Sequence, residues 1–181
     1  MKRALTRLWG RETLELTVFD AFEGIRDGAG AELLCIVGEA GSGKTSMAHQ
    51  LLTRLSEQGA RAVWLSCVEG LLGPLRALQE LVSSVLVLEP RWQRRWREAL
   101  LEATRGQAKL LGEAVPALPE LLGSLGPAPR LDVGVDHRAL LALERSFRAF
   151  AAAKERPLVL VADDLCSADE EILALIGRLM D

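Results

Sequence analysis

The chain has 181 residues, enough for one α/β domain with a sizeable core and too few for two domains of ordinary size. Hydrophobic residues make up 49%, charged residues 26% and the formal net charge is −3, so the composition excludes a disordered chain. The sequence has neither a bulk positive charge, nor a secretory signal, nor a run of about 18 apolar residues that could span a membrane. We therefore expect a cytoplasmic protein that engages neither nucleic acid nor membrane.

The first half of the chain alternates helical and strand patterns. Apolar residues at helical spacing over residues 14–25 predict an amphipathic helix. The continuous apolar run at residues 33–37, which opens into glycines, predicts a strand buried on both faces. A helical pattern over residues 47–55, closed by Gly59, precedes a second candidate strand at residues 62–66.

The second half is mostly helical and contains one more strand pattern. Residues 71–123 show helical spacing interrupted by prolines, and residues 126–134 indicate a loop. Residues 136–150 predict a helix, residues 158–162 a third, fully buried strand, and residues 167–179 a helix with a capping box that starts at Ser167. This order of elements predicts a parallel sheet covered by helices.

A glycine-rich segment between the first strand pattern and the next helix carries the clearest chemistry. Residues 38–45, Gly-Glu-Ala-Gly-Ser-Gly-Lys-Thr, match the phosphate-binding pattern of glycine, any four residues and Gly-Lys-Ser/Thr. The glycines let successive N–H groups point at phosphate oxygens, and the following helix adds its positive end. Lys44 is expected to neutralise the β- and γ-phosphates, and Thr45 to place its hydroxyl on a magnesium ion. The predicted nucleotide-binding residues here are Gly38, Gly41, Ser42, Gly43, Lys44, Thr45 and Ser46.

Two aspartates follow the third predicted strand and complete the predicted site. The carboxyl end of a parallel strand lies on the ligand-binding edge of its sheet, so Asp163 is expected to hold a water molecule bound to Mg²⁺. Asp164 is the candidate catalytic group that polarises the attacking water. The predicted cofactors are ATP and Mg²⁺.

Further segments of the chain carry a family resemblance. They are residues 9–12 (Trp-Gly-Arg-Glu), 96–101 (Trp-Arg-Glu-Ala-Leu-Leu), 115–123 and 157–169. Together with the phosphate loop, they make the chain resemble the AAA-type, origin-recognition-like ATPase module of bacterial hybrid serine/threonine and histidine kinases, which is also grouped with the STAND ATPases. The resemblance covers roughly residues 9–181.

The resemblance implies an ATP-binding regulatory module, a slow Mg²⁺-dependent ATPase whose nucleotide state changes its contacts with other signalling domains or protein partners. It implies that Arg11 binds the nucleotide beside the adenine. Asp164 stands where many relatives carry a glutamate, and its shorter side chain favours slow hydrolysis. Cys166 and Ser167 replace the polar residue and tryptophan that are usual in the family.

The resemblance also predicts what the fold lacks, because the sequence stops before the family's sensor strand, arginine finger and helical lid. In the family, the sensor strand lies between the strands predicted here at residues 33–37 and 158–162. Either these two strands pair directly, or a gap exposes the edges of both. We therefore expect weak nucleotide binding, negligible hydrolysis and self-association.

We predict a three-layer α/β P-loop NTPase domain of the AAA type, with a parallel sheet and an all-helical insert. Its parts are an N-terminal helical unit (residues 9–30), the strand–helix–strand unit of the phosphate loop (31–66), the insert (67–135) and a helix–strand–helix unit (136–181). Two other functions stay open: a P-loop phosphotransferase for a small molecule, and an interaction fragment with a vestigial nucleotide site.

Two groups of residues are predicted to have structural roles. Arginines and tryptophans alternate over residues 91–97, but Trp92 and Trp96 are four apart on a helix and are predicted to pack inward beneath solvated arginines. Contact with nucleic acid is therefore not expected. Cys35, Cys67 and Cys166 lack metal-ligand spacing and are predicted to be reduced, buried thiols.

Overall fold

A computed structural model describes residues 12–28, 30–105, 107–123, 137–153 and 156–180. Arg11, with the Trp-Gly-Arg part of the N-terminal signature, lies outside the described residues, as does the predicted loop at residues 126–134. Among the described residues, no helix is both long and apolar enough to span a bilayer. In chain order, the elements are α1 (Glu12–Arg26), α2 (Lys44–Glu57), β1 (Arg61–Ser66), α3 (Leu72–Leu86), α4 (Pro90–Thr104), α5 (Ala108–Leu111), α6 (Ala117–Leu122), α7 (His137–Ala151), β2 (Leu158–Asp163), a 3-10 turn (Leu165–Ser167) and α8 (Glu170–Met180).

Among the described residues, β1 and β2 form a small parallel sheet. Arg61 lies opposite Leu158 at one end and Ser66 opposite Asp163 at the other, so both carboxyl ends lie at the same edge. Because successive side chains of a strand point to opposite faces, β1 contacts helices on both sides. Val63 packs into the large core that includes α3 and α7, whereas Trp64 stacks on His49 of α2, with ring centroids 3.9 Å apart.

Most of the core lies among the helices α3 to α7 rather than around the sheet. Its central side chains are almost completely buried, and the indole of Trp96 stacks on the ring of Phe150 with centroids 4.6 Å apart. A smaller cluster joins α1 to α2 through Phe22 and Leu55. The sheet and its phosphate-loop helix are therefore attached to a helical body that has a core of its own.

The structure contradicts the prediction of a buried strand at residues 33–37. This segment forms no strand, and its side chains are largely exposed, with Leu33 at 59% and Val37 at 91%. Apolar side chains favour burial, but a strand also needs a neighbouring strand to accept its backbone hydrogen bonds. Among the described residues, β2 pairs with β1 alone, so direct pairing of residues 33–37 with β2 is absent.

The same open edge changes the environment of β2. The sequence predicted a fully buried strand, but no residue of β2 is fully buried. A strand that has a partner on one side only keeps part of its backbone and side-chain surface exposed. The sheet of the described residues is therefore smaller than the one predicted.

Two further predictions are wrong at the level of single residues. Trp96 packs inward, with 7% of its surface exposed, but Trp92 is 39% exposed and does not share its burial. Residues four apart on a helix are rotated by about 40° from each other, and Trp92 lies in the first turn of α4. The cap of α8 is Asp169, whose Oδ1 accepts a hydrogen bond from the Ile172 N–H at 2.9 Å, because Ser167 is part of the preceding 3-10 turn.

Candidate nucleotide-binding site

The phosphate-loop segment forms a tight turn that leads directly into α2. Gly41 and Gly43 have φ angles of 77° and 80°, in the left-handed region that glycine adopts without steric cost. The Ser42 N–H donates to the Glu39 carbonyl at 3.2 Å, and the Met47 N–H begins the helical pattern by donating to the Gly43 carbonyl at 3.0 Å. The glycines therefore turn the chain so that the N-terminus of a helix of 14 residues lies at the end of the loop.

Lys44 and Gly38 pack within this turn. The Lys44 ammonium donates to the carbonyls of Gly38 and Glu39, each at 2.9 Å, so the side chain folds back across the loop that precedes it. A Cβ atom at Gly38 would lie 3.0 Å from Ser42 Oγ, so a larger residue at this position would disturb the loop. One positive charge is thus held beside the positive end of the helix dipole.

A contact between α2 and β2 joins two parts of the sequence that are 118 residues apart. The Thr45 hydroxyl donates to the carboxylate of Asp163, with Oγ1 3.3 Å from Oδ1 and 3.2 Å from Oδ2. Thr45 belongs to the first turn of α2, and Asp163 is the last residue of β2. The structure therefore brings three predicted site residues, Lys44, Thr45 and Asp163, to the carboxyl edge of the sheet.

The chemistry of this contact suits a magnesium ion. Hydroxyl and carboxylate oxygens are the hard ligands that Mg²⁺ prefers, and this ion takes few protein ligands because it keeps water and phosphate oxygens. Among the described residues, no group of three or more His, Cys, Asp or Glu side chains could hold a metal ion. Thr45 and Asp163 are the candidate protein ligands for a cation at this edge, which would leave coordination positions for water and phosphate oxygens.

Asp164 has a different geometry from its neighbour. Its backbone adopts the left-handed conformation, with φ 54° and ψ 43°, so the chain leaves the direction of the strand directly after Asp163. Aspartate tolerates this conformation better than most residues do. The Asp164 side chain is exposed, and its carbonyl accepts the Ser167 N–H at 2.8 Å at the start of the 3-10 turn.

A buried thiol lies beside the aspartates, and sequence reasoning did not place it in the site. Cys67 follows β1, is 1% exposed and donates its backbone N–H to the Asp163 carbonyl at 3.1 Å. Burial raises the pKa of the Cys67 thiol, and the carboxylates of Asp163, Asp164 and Asp169 raise this pKa further. The position of Cys67 just after a predicted strand was the available signal, because parallel strands end at the same edge.

The other residues singled out from the sequence are Ser46 and the three cysteines. Ser46 is exposed in the first turn of α2. The prediction of buried thiols holds for Cys67 but is wrong for Cys35 and Cys166, which are exposed. Cys35 lies in the unpaired segment at residues 33–37, and Cys166 lies in the short 3-10 turn, so neither is covered by a layer of helices.

The turn, the helix that follows it and the carboxylate at the end of a parallel strand define an α/β protein of the P-loop nucleotide-binding class. The family model described as AAA ATPase domain matches residues 7–181. The chain therefore belongs to the AAA ATPase domain family and is a nucleotide-binding module of that type. Comparison with curated proteins and with solved structures gives no match.

Proposed function

We propose that this domain binds ATP with magnesium and acts as a slow ATPase switch in signal transduction. The observation that carries the proposal is the hydrogen bond between the Thr45 hydroxyl and the Asp163 carboxylate, with a shortest O–O distance of 3.2 Å. A phosphate loop alone would fit many anions. A hydroxyl and a carboxylate that meet beside the loop add a site for the cation that accompanies a nucleoside triphosphate.

In this proposal, different residues of the chain bind the phosphates, the metal ion and the rest of the nucleotide. Backbone N–H groups of the loop and of the first turn of α2 bind phosphate oxygens. Lys44 exchanges its two carbonyl partners, Gly38 and Glu39, for phosphate oxygens and neutralises part of their charge. Thr45 and Asp163 hold Mg²⁺, directly or through water, and Mg²⁺ offsets the remaining charge of the phosphates. Arg11 is proposed to contact the nucleotide from the N-terminal side.

The proposal of slow hydrolysis rests on Asp164. General-base catalysis requires a group within hydrogen-bond reach of the attacking water. The left-handed backbone of Asp164 turns the chain away from the strand axis, and aspartate is one methylene shorter than glutamate. We propose that binding dominates over turnover and that helices cover both faces of the sheet in a three-layer arrangement.

The test measures the affinity of a fluorescent ATP analogue with Mg²⁺ and with EDTA. Lys44→Ala is expected to weaken binding at least about tenfold in both conditions, because a charged hydrogen-bond partner of the phosphates is lost. Asp163→Asn is expected to weaken binding only with Mg²⁺. Two variants serve as matched controls. Asp164→Asn removes a neighbouring carboxylate, and Thr53→Ala removes a hydroxyl of α2 that donates to the His49 carbonyl within the helix.

Two outcomes would overturn the proposal. Wild-type affinity in Lys44→Ala would show that the loop does not hold phosphates, and equal losses in Asp163→Asn with and without Mg²⁺ would exclude a metal role for Asp163. Phosphate release measured in parallel is expected to stay well below about one turnover per second. A rate at or above that value would contradict the assignment of a slow switch.

A further inference from the structure

The connection between α3 and α4 forms an exposed corner with two apolar side chains. Val87, the residue that ends α3, is 85% exposed, and Trp92 in the first turn of α4 is 39% exposed. The corner is held by Gln93, whose side-chain amide donates to the carbonyls of Leu86 and Leu88, each at 2.8 Å. Val87 and Trp92 are therefore presented to solvent on a fixed turn rather than on a loose loop.

Two arginines flank the exposed indole. The guanidinium carbons of Arg91 and Arg95 lie 5.4 and 5.6 Å from the centroid of the Trp92 ring, within the range of cation–π attraction. Arg94 is also exposed, but residues two apart on a helix do not face each other, so Arg94 lies on a different face of α4 from Trp92. We call Val87, Arg91, Trp92 and Arg95 the arginine–tryptophan corner.

The corner has the opposite charge to the rest of the chain. The whole chain has 22 basic and 25 acidic residues, and residues 90–97 contain four of the basic residues and none of the acidic ones. The remainder therefore has 18 basic and 25 acidic residues. One exposed acid at the corner, Glu89, is paired with Arg91 at 2.8 Å. A local positive patch on an otherwise acidic protein favours contact with negative groups.

We propose that the arginine–tryptophan corner is a docking surface for an acidic polypeptide segment that carries an apolar side chain. Tryptophan and arginine are the residues that most often dominate the binding energy of protein interfaces. In this arrangement, Trp92 and Val87 contact the apolar side chain, while the guanidinium groups of Arg91 and Arg95 bind the carboxylates around it. The surface is distinct from the nucleotide site, and the inference does not depend on the proposed function.

The structure favours a protein partner over a nucleic acid. Binding to single strands uses several stacking aromatics, but Trp96 is buried against Phe150, which leaves Trp92 as the exposed aromatic of α4. A short, rigid corner can bind a peptide segment that has one compact apolar side chain and a few carboxylates.

The experiment uses the full chain to select binders from a phage-displayed library of random peptides. Each peptide is about 16 residues long, which is enough to cover a surface as small as the corner. The selected peptides are expected to contain an excess of Asp and Glu and at least one large apolar residue. Their affinity is expected to fall at least about tenfold for Trp92→Ala and for Arg95→Glu, and to decrease as salt concentration rises. Arg26→Glu is the matched control, because Arg26 is an exposed arginine on α1 and its substitution should leave affinity unchanged.

Circular dichroism and thermal melting check that each variant is folded. If Trp92→Ala does not fold, Val87→Asp replaces it, because an 85% exposed side chain contributes little to the core. Selection of no peptide, selection of neutral or basic peptides, or equal binding to both corner variants and the parent would overturn the proposal. Tight binding of a short DNA duplex, or self-association, that is lost in Arg95→Glu would also overturn it in favour of a different occupant.

Discussion

At the carboxyl edge of the sheet, single residues bring a polar contact and a buried thiol close together. Thr45 and Asp163 form a polar contact that is accessible to solvent, and Cys67, whose thiol is buried, donates its backbone N–H to the Asp163 carbonyl. The carboxylates that suit a cation also disfavour a second negative charge nearby, which is why they raise the pKa of Cys67. The edge is therefore suited to bind a cation and resists forming a thiolate.

The raised pKa of Cys67 predicts a loss of stability at alkaline pH. Above about pH 8.5, the thiol of the unfolded chain loses its proton, whereas the folded state keeps it. The folded state then binds more protons, so the free energy of unfolding falls as pH rises through this range. Urea unfolding of the parent and Cys67→Ala from about pH 8 to about pH 10 measures this, and the decline should be shallower in the variant.

Cys166→Ala is the control for this measurement, because Cys166 is exposed and its substitution should leave the slope unchanged. The chain contains no tyrosine, so tyrosine titration does not complicate the same pH range. Identical slopes in the parent and Cys67→Ala would contradict the proposed role of the thiol.

At the scale of elements, the close approach of α3 to β1 fixes where the helical body begins. Gly73, in the first turn of α3, lies so near the end of β1 that an added Cβ atom would be 2.0 Å from the Ser66 carbonyl oxygen. No side chain can occupy that space without moving the backbone. Glycine at this position lets α3 start directly beside the end of the strand, on the same edge as Asp163.

We predict that Gly73→Ala destabilises the fold by about 2 kcal/mol or more, because α3 must shift away from β1. Gly177→Ala is the matched control: a Cβ atom at Gly177 in α8 meets nothing within 4 Å, and alanine favours a helix by about 0.5–1 kcal/mol. Chemical denaturation of both variants should therefore show shifts of opposite sign. Equal stability of Gly73→Ala and the parent would rule out the proposed steric constraint.

At the scale of the whole molecule, the sheet formed by the described residues has an open side. Among the described residues, β2 has β1 as its one strand partner, and the apolar segment at residues 33–37 has none. Because the Arg61 N–H binds the Pro157 carbonyl and the Cys67 N–H binds the Asp163 carbonyl, the intervening residues Leu158, Leu160 and Ala162 direct their backbone groups to the free edge. Such an edge can pair with another chain.

We predict that the chain self-associates through this edge and that Ala162→Pro reduces the association. Proline removes one edge N–H without removing a hydrogen bond to β1, and Ala162 is exposed. Light scattering over a range of protein concentrations would measure the change. Association through strand pairing should persist at high salt, so association that is abolished by salt, or unchanged in Ala162→Pro, would indicate another surface.

Local patterns in the amino-acid sequence were enough to establish the phosphate loop, the family resemblance and the helix-rich character of the chain. These patterns are glycines in a fixed spacing, an apolar stripe every three to four residues, and acids directly after an apolar run. For the same reason, Lys44, Thr45 and Asp163 could be selected as candidate site residues from the sequence alone. The helices α2 and α7 and the strands β1 and β2 also lie close to their predicted positions.

Long-range contacts in the folded chain settled which apolar segments became strands and which side chains became buried. Residues 33–37 and 158–162 have similar apolar patterns, yet β2 forms because β1 accepts its hydrogen bonds, while residues 33–37 have no strand beside them among the described residues. Likewise, Trp92 and Trp96 share a helix, but only Trp96 meets Phe150. A local pattern measures how strongly a segment favours burial, but neighbours distant in sequence determine whether burial is available.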